Sequence, residues 1–345
     1  MMERLLNLKK HLLTWICSIG FILFLVSISL SVQAANNTKF VNRPDVQKFI
    51  NMMVKNYGFK KSALEHVFSQ VKEQPSIVLG MSTTKEHLPW YKYNDIFITQ
   101  QRIDEGVAFW KKHQKTLQAV YQRDGVDPSV IVAILGVETY YGKNQGSYRV
   151  IDSLSTLAFD YPARAKFFQQ ELKEYLLLTR ENHINPLKLK GSYAGAMGQP
   201  QFMPSSYRQY AVNFNKQGQK DLAHDPDDVI ASVSNYFKQN GWTQGELIAI
   251  QANVKGEAYK VLPTNQLKPN TTIKKLLSYG VSPISPLPAT EMASFIVLEM
   301  PDNSQQYWLG LHNFYVISRY NPRINYAMAV FQLSSAISRQ YTSGK

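Results

Sequence analysis

The sequence predicts a mainly α protein of the α+β class, a helical core carrying a small inserted β-rich domain. Three observations predict it. From Asp45 to about Trp242, apolar residues recur at helical spacing between recognisable start and stop signals. After Trp242, short runs rich in β-branched and aromatic residues alternate with turns such as "LPTNQLKPN" and "VSPISPLP". The stretch "NYAMAVFQLSSAIS" then returns to helix, so the β-rich part reads as an insertion and not a free tail.

The elements follow in order. "DVQKFINMMVKNYG" and "KSALEHVFSQV" form an opening helical pair, and one long helical segment is expected from about Asn94 to Gln122. "DGVDPSVIVAILGVETYYG" has Asp127 as cap, Pro128 in the first turn and Gly142 as the stop. In "YPARAKFFQQELKEYLLLTREN", Pro162 opens a helix with Phe168, Leu172, Tyr175, Leu176 and Thr179 along one side. "MPSSYRQYAVNF" places Tyr207, Tyr210, Ala211 and Phe214 on one face. "DPDDVIASVSNYFKQNG" carries its own cap (Asp225), first-turn proline (Pro226) and terminal glycine (Gly241). "LIAIQANV", "SFIVLEM" and "QYWLGL" are the expected strands. The resulting divisions are 1–34, an N-terminal helical region 41–125, a core 126–242, a β-rich domain 243–312 and a returning helical segment 313–345.

The first 34 residues read as a signal peptide. "MMERLLNLKKH" is a basic n-region, an apolar run spans Leu12 to Leu30, and "SVQA" sets Val32 and Ala34 where a signal peptidase cuts. An uncleaved inner-membrane anchor is the alternative, and membrane association is expected only in that case. Either way the chain is exported, and a periplasmic location is expected. The only cysteine, Cys17, lies in that apolar run without the small residues that precede a lipid-modified cysteine. The mature chain would hold no disulfide and no thiolate metal site, so its stability rests on its core.

The formal charge is +13, and removing Glu3, Arg4, Lys9 and Lys10 with the leader leaves +11. A basic surface suits a polyanionic partner. Outside the cytoplasm this favours anionic cell-wall polymer or lipid headgroups over nucleic acid. The chain has no Gly-rich phosphate loop, no dinucleotide fingerprint, no G-x-S-x-G and no H-E-x-x-H, and its seven histidines show no ligand spacing.

Two stretches carry chemistry. In "ILGVETYYGKN", Ile131, Ile134, Leu135 and Glu138 fall at i, i+3, i+4 and i+7, which puts a lone glutamate on a face that should be buried. Desolvation and the negative end of the helix dipole both raise the pKa of such a carboxyl, as a general acid requires. A structural glutamate paired with an arginine is the competing reading. In "KGSYAGAMGQPQFMPSSYRQYA", Gly191, Gly195 and Gly198 would let a polymer approach the backbone, and Ser192, Tyr193, Gln199 and Gln201 would offer neutral polar groups to sugars. A tight turn between two helices is the alternative there.

Long blocks in order across almost the whole mature chain resemble one family. They include "WYKYNDIFITQQRIDEGVAFW", "GVETYYGKNQGSYRVIDSLSTLAFDYPARAKFF", "GSYAGAMGQPQFMPSSYRQYAVNF", "DVIASVSNYF" and "NFYVISRYNPRINYAMAVFQL". The chain resembles the membrane-bound lytic murein transglycosylase B family of peptidoglycan-cleaving enzymes. The resemblance implies a lysozyme-like helical core, an added helical domain and a small β domain. It implies Glu138 as the single catalytic acid. Ser192 and Gln201 would be polar substrate contacts, and Tyr93, Tyr236, Tyr320 and Tyr326 would line the groove. Arg164 matches the second residue of an arginine pair whose first position is Ala163 here, and Pro200 stands where the family often has glycine.

Some relatives carry an EF-hand-like calcium loop. Here that segment is "NFNKQGQKDLAHDPDD", with Asn213, Asn215 and Gln217 where acidic oxygens are wanted and His224 at the twelfth position. No cofactor is therefore expected, and calcium binding at this degraded loop least of all. The implied partners are peptidoglycan strands, with cell-wall synthesis proteins as candidates, and a monomer is expected.

The implied reaction breaks the β-1,4 bond between N-acetylmuramic acid and N-acetylglucosamine and closes a 1,6-anhydro ring, with one carboxyl acting as acid and then base. A muramidase-type hydrolase needs a second carboxyl. Asp152, which reads as a cap before "SLSTLAF", and Asp160, at the turn into Pro162, are the candidates for it. A peptidoglycan-binding protein without activity is the reading from another class.

Overall fold

The computed structural model describes residues 39–82, 88–216 and 218–344. The leader at 1–34, Cys17 and Gln217 lie outside the described residues. The chain divides into two compact units between Lys72 and Glu73, inside the stretch 41–125.

In the first unit, α1 (Pro44–Tyr57) and α2 (Lys61–Phe68) form the expected pair, joined through Gly58 in a left-handed conformation. Their facing sides bury Val46, Phe49, Ile50, Met53, Leu64 and Phe68, with Phe49 edge-on to Phe68.

The second unit begins with α3 (Pro75–Ser82) and α4 (Trp90–Phe97). The long helical segment expected from Asn94 is in fact broken. Helix α4 ends at Phe97, Thr99 caps α5 (Gln100–Lys112), and His113 separates α5 from α6 (Gln114–Asp124). There is no glycine or proline between 107 and 124 to signal the second break. Next come α7 (Pro128–Thr139), β1 (Tyr148–Arg149), α8 (Val150–Asp160), α9 (Ala165–Glu181), β2 (Lys190–Gly191), α10 (Pro204–Tyr210) and α11 (Pro226–Gln239). Asp127 caps α7 through the Ser129 amide at 2.8 Å, and Asp225 caps α11 through the amides of Asp227 and Asp228. Helix α10 stops at Tyr210, so Ala211 and Phe214 lie beyond it.

Helix α7 has no solvent face. Every residue from Ser129 to Gly136 is buried, so the expected apolar stripe is a helix apolar all round. It sits at the centre of the helical layer because α5 and the last helix pack along it.

The β-rich part contains β3 (Ala249–Val254), β4 (Thr271–Thr272), α12 (Ile273–Ser278), β5 (Val281–Pro283), β6 (Met292–Glu299) and β7 (Gln305–Gly310). The strands form one antiparallel sheet in the order β4-β6-β7-β3-β5. Its own core contains Ile250, Leu262, Ile273, Leu276, Val281, Phe295 and Leu309. The chain then returns through α13 (His312–Ser318) to α14 (Ile324–Thr342), which packs on α7, α5 and α4. This insertion topology is the expected one. Among the described residues no helix is long and apolar enough to cross a membrane.

Candidate active site

Glu138 lies in the last turn of α7 and is only partly exposed. Burial raises its pKa from 4.5 to about 7. The opposing influence is a hydrogen bond, in which the Tyr326 hydroxyl donates to Glu138 Oε1 at 2.6 Å. Its partner is thus a tyrosine, and the expected alternative of a structural Glu–Arg pair fails.

The chain after Glu138 does not behave as a simple helix stop. Helix α7 ends at Thr139, three residues before Gly142, and Tyr140, Tyr141 and Gly142 all have positive φ (53°, 59° and 86°). Such conformations are costly for tyrosine and persist only when the surroundings fix them. The fixing contacts are visible. The Tyr141 hydroxyl donates to the Arg102 carbonyl at 2.7 Å and occupies space that a Cβ on Gly106 or Gly136 would take. Thr139 Oγ1 donates to the Gln199 carbonyl at 2.8 Å and accepts from the Gly142 amide at 3.0 Å. Gln145 Nε2 also donates to the Gly142 carbonyl at 3.2 Å, so Thr139, Tyr141 and Gln145 hold the turn that follows Glu138. The sequence reading missed them, although "ETYYG" was the available signal.

The tyrosines form a row. Tyr326, buried on α14, stacks with Tyr320 (centroids 6.5 Å apart, 16° between planes), and Tyr320 lies 4.8 Å from Tyr236. Tyr320 donates to the Pro200 carbonyl at 2.6 Å, and Tyr236 donates to the Arg319 carbonyl at 2.6 Å. Tyr236 is 8 % exposed and packs against Tyr320, Tyr210 and Phe202. Tyr93 packs on Phe97 and is close enough to bear on the ionisation of Tyr326.

The glycine-rich loop is more inward-looking than its composition implies. Ser192 Oγ accepts the amides of Ala194 and Ala196 at 3.3 and 3.1 Å. Gln201, at φ 50°, donates to the carbonyls of Gln145 and Gly198, and Gln199 donates to that of Ala223. A Cβ on Gly191 would stand 2.2 Å from the Ala196 carbonyl oxygen, and one on Gly198 2.5 Å from that of Leu222. These glycines serve close packing within the loop. Tyr193 remains exposed. Arg164 is exposed apart from this row, its guanidinium 4.2 Å over the Phe167 ring.

Asp152 is not a helix cap. It lies inside the first turn of α8, 3 % exposed, and both its oxygens accept from Arg149 at 2.7 Å. A carboxylate held on both oxygens by a guanidinium is a structural anchor and a poor nucleophile.

A carboxyl that titrates near neutrality can lend a proton and take it back, and aromatic rows of this kind suit sugar rings. Fold and site together fit a glycan-cleaving enzyme. Residues 42–335 match the transglycosylase SLT domain family, and the chain belongs to that family and is a lytic transglycosylase. The membrane-bound lytic murein transglycosylase B of Escherichia coli K12 is 43% identical over 309 residues, 87% of this chain and 84% of that protein. The crystal structure of the soluble lytic transglycosylase SltB1 from Pseudomonas aeruginosa superposes with a TM-score of 0.82 at 43% identity, covering 88% of this chain and 100% of that one. SltB3 from Pseudomonas aeruginosa, solved in complex with NAG-anhNAM-pentapeptide, has a TM-score of 0.74 at 30% identity, covering 84% of this chain and 77% of that one.

The Tyr326 bond stabilises the charged form of Glu138, so its loss raises the pKa beyond about 7. Tyr326→Phe should therefore move the alkaline limb of the kcat/KM profile upward by about one pH unit, the size of a charge-assisted bond. A limb that stayed put or moved toward acid would show that the bond does not tune this carboxyl.

Proposed function

We propose that Glu138 is the sole acid–base group for cleaving peptidoglycan between N-acetylmuramic acid and N-acetylglucosamine. The observation that carries this is its pKa of about 7 beside Tyr326, while Asp152 is committed to Arg149. Protonated Glu138 gives its proton to the glycosidic oxygen as the bond to C1 breaks. The sugar's 2-acetamido carbonyl stabilises the positive centre. The resulting carboxylate, steadied by the Tyr326 hydroxyl, removes the proton from the C6 hydroxyl as its oxygen closes on C1. A 1,6-anhydro ring forms and no water is consumed. Tyr93 and Tyr320 contact the glycan, joined by the Ser192 O–H and the Gln201 side-chain oxygen, the atoms not used in their loop bonds; Tyr236 supports Tyr320, and Arg164 meets substrate from the rim. Purified sacculi treated with the protein should clear and release fragments ending in anhydromuramic acid. Clearing with only reducing ends would favour a two-carboxyl hydrolase, and no clearing would favour a binding protein.

The enzyme acts in the periplasm as a monomer after export by residues 1–34, a placement supported by the basic and apolar pattern of that leader. It uses no cofactor. The support for this lies in the loop related to calcium sites: Asp228 already accepts the amides of Phe214 at 2.7 Å and Asp221 at 2.9 Å, and Asn213 donates to the Gly218 carbonyl. Backbone amides thus occupy the carboxylate that a metal would need. Millimolar calcium should leave the melting temperature unchanged, since a ligand stabilises only as its concentration exceeds its Kd. A rise of several degrees would overturn the metal-free reading.

A further inference from the structure

Arg102, in the first turn of α5, touches two elements that the reaction needs. Its amide donates to Thr99 Oγ1 at 3.2 Å, and its carbonyl accepts the Tyr141 hydroxyl at 2.7 Å. Its guanidinium lies over two rings, 4.8 Å from the centre of Tyr140 and 5.3 Å from that of Phe97. Nη1 donates to the Ile96 carbonyl in the last turn of α4. Nε is buried with no hydrogen-bond partner among the described residues, so that side of the head meets the rings alone. Lys143 also stands 4.8 Å over the Tyr140 ring, but it is exposed and paired with Glu105.

The two rings lead in different directions. Tyr140 belongs to the left-handed turn and stands two residues after Glu138. Phe97 packs on Tyr93 of α4, with ring centres 4.8 Å apart. A cation attracted to two ring faces fixes the distance between them, because the attraction falls away within a few ångströms. We propose that Arg102 is a positioning residue that sets the span between Tyr93 and Glu138. The inference rests on the proposed roles of that tyrosine as glycan contact and that carboxyl as acid. Through Tyr140, Arg102 aims the acid at the glycosidic oxygen. Through Phe97, it places the sugar that Tyr93 contacts. A misplacement of about 1 Å lowers the rate even when every reacting group is present.

The test begins with Arg102→Met, which keeps an unbranched side chain and removes the charge. On sacculi its kcat should fall about tenfold, the effect of partly desolvated cation–π contacts, and its KM should rise severalfold. Arg102→Lys should recover part of both, because a cation stays against the rings. Double-mutant cycles separate the two branches. Tyr140→Leu should lower kcat, and adding it to Arg102→Met should lower kcat little further. Phe97→Leu should raise KM, and adding it to Arg102→Met should raise KM little further. Losses that add in either cycle, or an Arg102→Lys no better than Arg102→Met, would overturn the proposal. So would an Arg102→Met that unfolds at lower denaturant while kcat and KM of the folded molecules stay at wild-type values. Co-sedimentation with sacculi in a Glu138→Gln background reads the Phe97 branch without cleavage and should weaken severalfold in Arg102→Met. That measurement stands even if the catalytic reading fails, whereas unchanged sedimentation overturns the role of Arg102 alone. If Arg102→Met does not fold, Arg102→Lys with the Tyr140→Leu and Phe97→Leu variants supplies the same split.

Discussion

Glu138→Gln should lose at least 10²–10⁴ in cleavage rate, and more if both proton transfers depend on the one group. The amide is nearly isosteric and keeps an oxygen for the Tyr326 hydroxyl, so the variant should fold and still bind sacculi. Its stability should move in the opposite direction to its activity. The folded pKa of about 7 lies above the ordinary value of 4.5, so the carboxyl's contribution is fully present below about pH 4.5 and is lost as pH rises through 7. At pH 8 the wild type holds a desolvated charge that glutamine removes. The variant should therefore unfold at higher denaturant than wild type at pH 8, by up to about 3 kcal/mol and less where solvent reaches the carboxyl. The difference should shrink at pH 4.5. A variant retaining more than a tenth of wild-type activity would remove Glu138 from the chemistry.

Asp152→Asn should destabilise the protein by roughly 2–3 kcal/mol while leaving the activity of folded molecules close to wild type. The sequence reading of a cap implies only about 1 kcal/mol. The larger figure follows from the doubly bonded Arg149 pair, in which Asp152 is 3 % exposed and removal of its charge leaves the guanidinium with a weaker partner. Arg149 keeps some solvent access, which holds the cost below that of a fully buried pair. Denaturant unfolding beside an assay at low temperature separates the two effects. A folded, stable and inactive Asp152→Asn would make Asp152 the missing nucleophile or base.

Much of this site was legible because Glu138 violates its surroundings. An acid within "ILGVETYYG" has no polar face to occupy, and the pattern marks it whether or not the helix is amphipathic. What the pattern could not give was the left-handed turn at Tyr140 and Tyr141, because the Tyr141 ring needs room at Gly136 and also at Gly106, which only the fold brings beside it. The break at His113 was equally hidden, for no glycine, proline or side-chain cap marks it, whereas the one before Gln100 carries a local signal in the Thr99 cap. The capped helices at Asp127 and Asp225 were legible because their signals are local. The tyrosine positions came from likeness to relatives, and only coordinates separate Tyr326, bonded to the carboxyl, from Tyr236, which packs against Tyr320. The same holds for Ser192 and Gln201, whose Oγ and Nε2 serve their own loop.

Cleavage of purified sacculi in water enriched in ¹⁸O tests most directly whether one carboxyl performs both steps. If Glu138 takes the C6 proton and the sugar's own oxygen closes on C1, new muramic acid ends carry no ¹⁸O and the fragments together weigh the same as the strand they came from. One labelled oxygen per break, with the added mass of water, would mean that water is the nucleophile, and the single-carboxyl mechanism would be wrong.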